Sequence, residues 1–309
     1  MRRFVIDTDT GSDDAVALVM ALRDPDIHVE AITVVAGNVP LELGTQNALY
    51  TVELCGKPVP VYRGMASPLL RPFESAQHVH GADGMGDIGL PLQGREAAPG
   101  HAVDVIVDTV NRYPGEITLV TLGPLTNVAM ALLHDPSIAA KVKDCVIMGG
   151  TGRGHGNVTP VAEYNIWVDP DAAHLVFESG MNLTMVGWDI SYTHATFDAA
   201  ESARIRAIGT PLATFVIDIQ KALIEFAMGK MGLDGFDLPD PIAMAVAIDP
   251  AVATVKQRRF VAVETGGQWC RGQTVVDRNG VTGREPNVDV VVEASRERFL
   301  EMLHQSVRD

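Results

Sequence analysis

Apolar residues along this chain fall into short β-type runs that alternate with longer helical periods. Strand-like runs occupy 3–6, 28–35, 58–62, 116–122, 143–148 and 182–188. Between them, 14–23, 40–55, 101–113, 125–134 and 170–179 read as helices. The alternation predicts an α/β fold: an open, mostly parallel, Rossmann-like sheet with helices on both faces. From about 197 to 250 the pattern turns mainly helical, and short β-type runs return over 257–292. An amphipathic stretch at 294–307 predicts a last helix. No internal repeat or low-complexity linker interrupts the chain, so 1–309 is expected to form a single domain.

The strand-like runs end in polar or glycine-rich punctuation. Gly37-Asn38 follows 28–35, Gly123-Pro124-Leu125-Thr126-Asn127 follows 116–122, and Gly149-Gly150 follows 143–148. The first run ends at Asp7-Thr8-Asp9-Thr10-Gly11-Ser12-Asp13-Asp14, just before an apolar helical segment. In a parallel sheet these points share one edge, where open α/β folds bind ligands. Four carboxylates within eight residues repel one another unless a hard cation or a proton compensates. A helix cap and an acidic first turn account for one or two of them. Asp7 and Asp9 leave one face of extended chain, which capping does not require.

Composition narrows the partners. Lys plus Arg number 24 against 39 Asp plus Glu, a net charge of −15. Such a surface repels nucleic acid and anionic membrane, and favours a small neutral or cationic ligand or a metal. The three cysteines, Cys55, Cys145 and Cys270, are scattered and suggest reduced thiols in a cytoplasmic protein. No signal-peptide core and no apolar span of about 20 residues is present.

Two loops add candidate chemistry. The segment 63–100 has little periodicity and contains Gln77-His78-Val79-His80-Gly81. Loops this long are often functional, although a loop histidine is as often merely solvated. The segment 149–167 is glycine-rich but has no phosphate-cradling GxxxxGK[ST] pattern. Later, Asp240 in Leu238-Pro239-Asp240-Pro241 precedes an apolar helix and reads by itself as a cap.

The stretch Asp7–Ala15 resembles the signature of the inosine-uridine nucleoside hydrolase family. The resemblance continues through Gly37-Asn38, His80-Gly81, Gly123–Asn127, Met148-Gly149-Gly150, Glu163-Tyr164-Asn165 and Asp240-Pro241. It implies an N-ribohydrolase holding one Ca²⁺ on Asp9, Asp14, Asp240 and the Thr126 carbonyl, with Asp7 supporting that shell or binding directly. It implies that Asp9 takes the proton of the attacking water. It also implies that Asp13, Asn38, Asn157, Glu163 and Asn165 grip the ribose, with Met148 lining the sugar pocket. A homodimer or homotetramer acting on a small nucleoside is the implied assembly and substrate. An anion-rich pocket agrees with the chemistry, because loss of the base leaves a ribosyl cation resembling an oxocarbenium ion.

One position departs from the pattern. Well-known members carry histidine before the late aspartate, where this chain has Pro239. Leaving-group activation therefore falls to another group: His80, His78, a water, or a stacking aromatic such as Phe226 or Phe236. Three rivals remain in view. A haloacid dehalogenase-like phosphohydrolase also begins DxD after a strand, but wants Thr or Val where Gly11 stands. An EF-hand loop needs glycine and glutamate where Ser12 and Leu18 stand. A non-catalytic nucleoside- or sugar-binding protein is the third.

Overall fold

The structure, a computed structural model, describes residues 1–230 and 232–308. Its strands are β1 (Arg2–Thr8), β2 (Ile27–Val34), β3 (Val61–Arg63), β4 (Ile117–Thr121), β5 (Asp144–Met148) and β6 (Leu183–Val186). They continue with β7 (Thr196–Phe197), β8 (Phe236–Asp237), β9 (Val255–Val263), β10 (Thr274–Asp277) and β11 (Val288–Glu293). Nine of them form one sheet in the order β10-β9-β11-β6-β5-β4-β1-β2-β3. The pairs from β3 through β11 are parallel. In this sheet only β9 runs against the others, paired antiparallel with β11 on one side and with the edge strand β10 on the other. The run expected as a small β region near 257–292 thus extends the main sheet.

Alternation decides which side each strand residue faces. Phe4 and Ile6 join one core while Val5, between them, joins the other. Val146 and Met148 likewise face away from Cys145 and Ile147. Helices Ser12–Arg23, Leu41–Leu54, Pro239–Ile248 and Arg296–Ser306 cover the first side, and Ala102–Arg112, Thr126–His134 and Pro170–Phe177 the second. Helix Ser12–Arg23 is apolar all round after its first turn, and residues 12–22 are all buried. That composition fits a helix wedged between the sheet and other helices.

Two boundaries differ from the sequence pattern. The strand expected at 58–62 begins at Val61, because Pro58 and Pro60 have no N–H to give a ladder. The run 182–188 ends at Val186, and Trp188 instead opens helix Trp188–His194. The mainly helical region near 197–250 is as expected, apart from the small antiparallel pair of β7 and β8, which brackets three of its helices. Among the described residues no helix is long and apolar enough to cross a membrane.

The chain runs from β1 outward to β3, then resumes at β4 on the other side of β1. The strand order therefore reverses between β1 and β4, and a crevice opens beyond their carboxyl ends. Asp9 leaves β1 at that point.

Candidate active site

A cleft opens over the carboxyl ends of the parallel strands. It is lined by Asp13, Asn38, His80, Met148, Asn157, Glu163, Asn165, Phe226 and Asp240, among others. Every residue expected to hold the sugar reaches it, as do His78, His80 and Phe226. Phe236, the other aromatic expected to meet the base, does not, being buried and stacked on Phe197 instead. Asp7, Asp9, Asp14 and Thr126 lie behind its wall, buried.

The floor is a cluster of carboxylates. Asp13, Asp14 and Asp240 each bring an oxygen within 4.8 Å of the others. Asp9 stands beside them. The Asn38 backbone N–H donates to Asp9 Oδ2 at 2.6 Å, and Asn38 Nδ2 spans Asp9 Oδ1 at 3.3 Å and Asp14 Oδ2 at 3.0 Å. Thr8 Oγ1 and the Gly11 N–H donate to the two oxygens of Asp14. Asp7 points elsewhere: its Oδ1 accepts from Thr33 at 2.6 Å and Asn127 at 2.7 Å. This ties β1 to β2 and to helix Thr126–His134. The Thr126 hydroxyl donates to Asp169 at 2.7 Å, which anchors that helix beside the floor.

Burial and mutual repulsion raise these acids. Asp9 and Asp240 are held well above the ordinary carboxylate range, first by burial and then by neighbouring aspartates. Burial lifts Asp13 to about 6 and Asp7 to about 7. The ion pairs among the described residues bring no Lys or Arg to the floor; its nearest basic partner is His80, with Nδ1 3.6 Å from Asp13 Oδ1. That same Asp13 oxygen is buried without a hydrogen bond. An unpartnered buried oxygen, an oxygen-only donor set and no counter-charge together fit a hard divalent cation.

Glycines give Asp9 its place. A Cβ on Gly37 would sit 2.0 Å from Asp9 Oδ2, and one on Gly123 would sit 2.9 Å from Asp9 Oδ1. The carboxylate is thus clamped between two loops that have no side chain to offer. Gly37→Ala is expected to displace Asp9 and lower turnover at least tenfold, since misplacement of a reacting group by about 1 Å can cost a hundredfold. Its circular dichroism spectrum should match the wild type. Unchanged turnover would show that the clamp is dispensable.

The sugar side of the cleft is held by the loop after β5. Glu163 accepts from the N–H groups of Gly150, Asn165 and Ile166, and burial lifts it to about 7. Asn165 Nδ2 donates to the Leu122 carbonyl at 2.7 Å and lies against Met148. Asn157 is exposed at the rim and accepts from the Tyr164 N–H. His80 is buried, with Nδ1 3.1 Å from Ser12 Oγ, and burial pushes its imidazole down to about 4.

The opposite wall is aromatic. Phe226, on helix Lys221–Lys230, meets His78 edge-on at 5.7 Å between ring centres. Trp188, Leu223, Pro239 and Asp237 complete it. Sequence reading missed Trp188, Ser12, Tyr164 and Asp237. The Tyr164 hydroxyl pins two loops by donating to the carbonyls of Gly37 and Glu74. A visible signal existed for Asp237, an acid three residues before Asp240. For the others the pairing is long-range and leaves no local spacing.

Known proteins resemble this chain over almost its whole length. The pyrimidine-specific ribonucleoside hydrolase RihA of Salmonella agona is 40% identical over 306 residues, covering 98% of this chain and 97% of its own. A solved plant nucleoside hydrolase superposes with a TM-score of 0.94 at 32% identity, covering 99% and 98% of the two chains. A purine-preferring ribonucleoside hydrolase from Gardnerella vaginalis gives 0.91 at 34%, with the same coverage. The profile described as inosine-uridine preferring nucleoside hydrolase matches residues 4–301. With that profile, and with relatives at this identity, the chain belongs to the inosine-uridine preferring nucleoside hydrolase family and is an N-glycosidase of ribonucleosides.

Proposed function

We propose that this enzyme cleaves ribonucleosides with a water deprotonated by Asp9 beside a Ca²⁺ ion, releasing free base and ribose. The observation that carries this reading is the buried floor of Asp9, Asp13, Asp14 and Asp240 with no Lys or Arg among its ion pairs in the described residues. Asp9, Asp14, Asp240 and the Thr126 carbonyl would hold the ion, and Asp7 would brace them through Thr33 and Asn127. The chemistry such an ion supplies is Lewis acidity toward the attacking water and the ribose hydroxyls.

The remaining work falls to the chain. Asn38 fixes Asp9 through its N–H, so the carboxylate meets the water without reorienting. Asp13, Asn38, Asn157, Glu163 and Asn165 present oxygens and amides to the ribose hydroxyls. Met148 packs under the sugar. His80, neutral when buried, supports Asp13 and contacts substrate from the same side. The anionic floor stabilises positive charge that develops on the ribose only as the base departs. Phe226 offers a face for the base. A homodimer or homotetramer in the cytoplasm belongs to the same reading and rests on family likeness and the sparse cysteines.

The names of the relatives span pyrimidine-specific and purine-preferring enzymes, so the test uses both kinds of base. Incubation with uridine, cytidine, inosine and adenosine plus Ca²⁺ should release reducing sugar from at least one. Binding without release would favour a nucleoside-binding protein. Phosphate release from a phosphomonoester would favour the haloacid dehalogenase-like alternative.

A further inference from the structure

Departure of a nucleobase leaves an electron pair on its nitrogen, and a proton must meet that charge if the leaving group is poor. The sugar must lie on the Asp13–Asp240 floor for the proposed hydrolysis, so the base lies against the wall of Trp188, Phe226, Pro239 and Asp237. Few groups in the cleft are placed to donate there. His80 sits on the sugar side with Nδ1 against Ser12. Tyr164 directs its hydroxyl to two carbonyls away from the wall. Glu163 is enclosed by three backbone N–H groups. His78 is exposed and packs its ring against Phe226.

Asp237 differs from all of these. It ends β8, which pairs with β7 through Thr196, so its backbone is fixed three residues before Asp240. Ser191 Oγ donates to its Oδ2 at 2.6 Å. Among the described residues Ser191 makes the one well-formed hydrogen bond to the carboxyl, the Trp188 side chain lies close without completing another, and Oδ1 is not sealed from the space around it. The carboxyl is therefore oriented by one oxygen and open at the other.

We infer that Asp237 is the proton donor to the leaving nucleobase, a role that rests on the hydrolysis proposed above. In this step the bond from C1′ to the base nitrogen breaks and its electron pair goes to the base. The proton on Asp237 Oδ1 transfers to a base nitrogen or carbonyl oxygen. The attacking water bonds to C1′ and yields its proton to Asp9. Exchange with solvent then returns a proton to Asp237 and removes one from Asp9, so the sum is nucleoside plus water giving base plus ribose.

The surroundings keep the carboxyl protonated into the working range. Burial, and after it the Asp13 charge, raise it to about 6 against the opposing pull of Ser191 and Trp188. Tyr192, Asp198, Asp234 and Arg296 line the shallow cavity on its other side. The donor form is complete at low pH and is lost as pH rises through about 6.

The test compares leaving groups. Wild type and Asp237→Asn are assayed on inosine, uridine and 4-nitrophenyl β-ribofuranoside, whose phenolate departs without a proton. General-acid assistance is worth roughly 10²–10⁴-fold. Asp237→Asn should therefore lower kcat on the nucleosides by at least about thirtyfold more than on the nitrophenyl riboside. The fall in wild-type nucleoside rates with rising pH should vanish in the variant, and Asp237→Glu should restore part of the rate. Equal losses on all substrates would reduce Asp237 to a structural residue and overturn the role, as would no loss on any. A wild type inert on the nucleosides but active on the nitrophenyl riboside would overturn Asp237 alone. Inertness on all three would overturn the hydrolysis and the role together.

Discussion

Asp9→Asn is expected to lower kcat on every nucleoside substrate by more than about a hundredfold, the scale of a lost general base. The substitution is nearly isosteric, and the site holds it tightly. Gly37 and Gly123 leave room for a carboxylate-sized group and nothing larger. The Asn38 N–H donates to Oδ2, so the new amide would keep its oxygen there and put its NH₂ in the place of Oδ1, giving up the longer bond from Asn38 Nδ2. That orientation keeps the shape but removes the basic oxygen. Folding should survive, because one buried charge among repelling neighbours has been removed. Steady-state kinetics with a melting curve on the same sample checks both statements. Retention of more than a tenth of wild-type kcat would assign the proton transfer to another group.

The second large effect concerns the cation. Protein stripped with a chelator should bind one Ca²⁺ per chain, measured by titration calorimetry. At 100 times the dissociation constant, binding to the native state alone adds about 2.7 kcal/mol of stability, a clear rise in Tm. Asp240→Asn should abolish both the heat of binding and the rise. The reason lies in the floor itself. Asp240 is raised first by burial and then by Asp13, Asp14 and Asp9, so it carries the convergence of the whole cluster. Without an ion the cluster relieves repulsion by taking up protons, so binding should also release protons into the buffer. Mg²⁺, which demands a tighter octahedral shell, should raise Tm less. If the stripped protein bound no divalent cation and kept full activity, the compensating charge would have to be protons alone.

Much of this was legible in the chain. The β-α alternation gave the parallel sheet, and glycine or asparagine after each strand marked the edge where the site stands. Asp13 and Asn38 follow strand ends, and Glu163 and Asn165 sit in the loop after β5, so topology brings them together; their assignment to the ribose came from the family resemblance. Two kinds of feature were not readable. Strand limits at Pro58–Val61 and Val186–Trp188 depend on which backbone groups find ladder partners, a tertiary matter. The wall facing the base comes from segments joined only in three dimensions: Trp188 and Ser191 from one helix, Asp237 from a two-residue strand 46 positions after Ser191. The only local signal for Asp237 is its place three residues before Asp240; its pairing with Ser191 leaves none. The substitution at Pro239 signalled that the base end had changed, though not what had taken over.

The reversal of strand order at β1 also has a bearing on how the protein matures. Its floor joins Asp9, Asp13 and Asp14 near one end of the sequence to Asp240 more than two hundred residues away. Contacts of such separation are slow to form, because the intervening loops must close first. A nascent or partly refolded chain can therefore present helices and even most strands while lacking any competent catalytic centre. Hydrolysis appears only once the last long-range closure is made, so activity marks completion of the fold more stringently than helix content does.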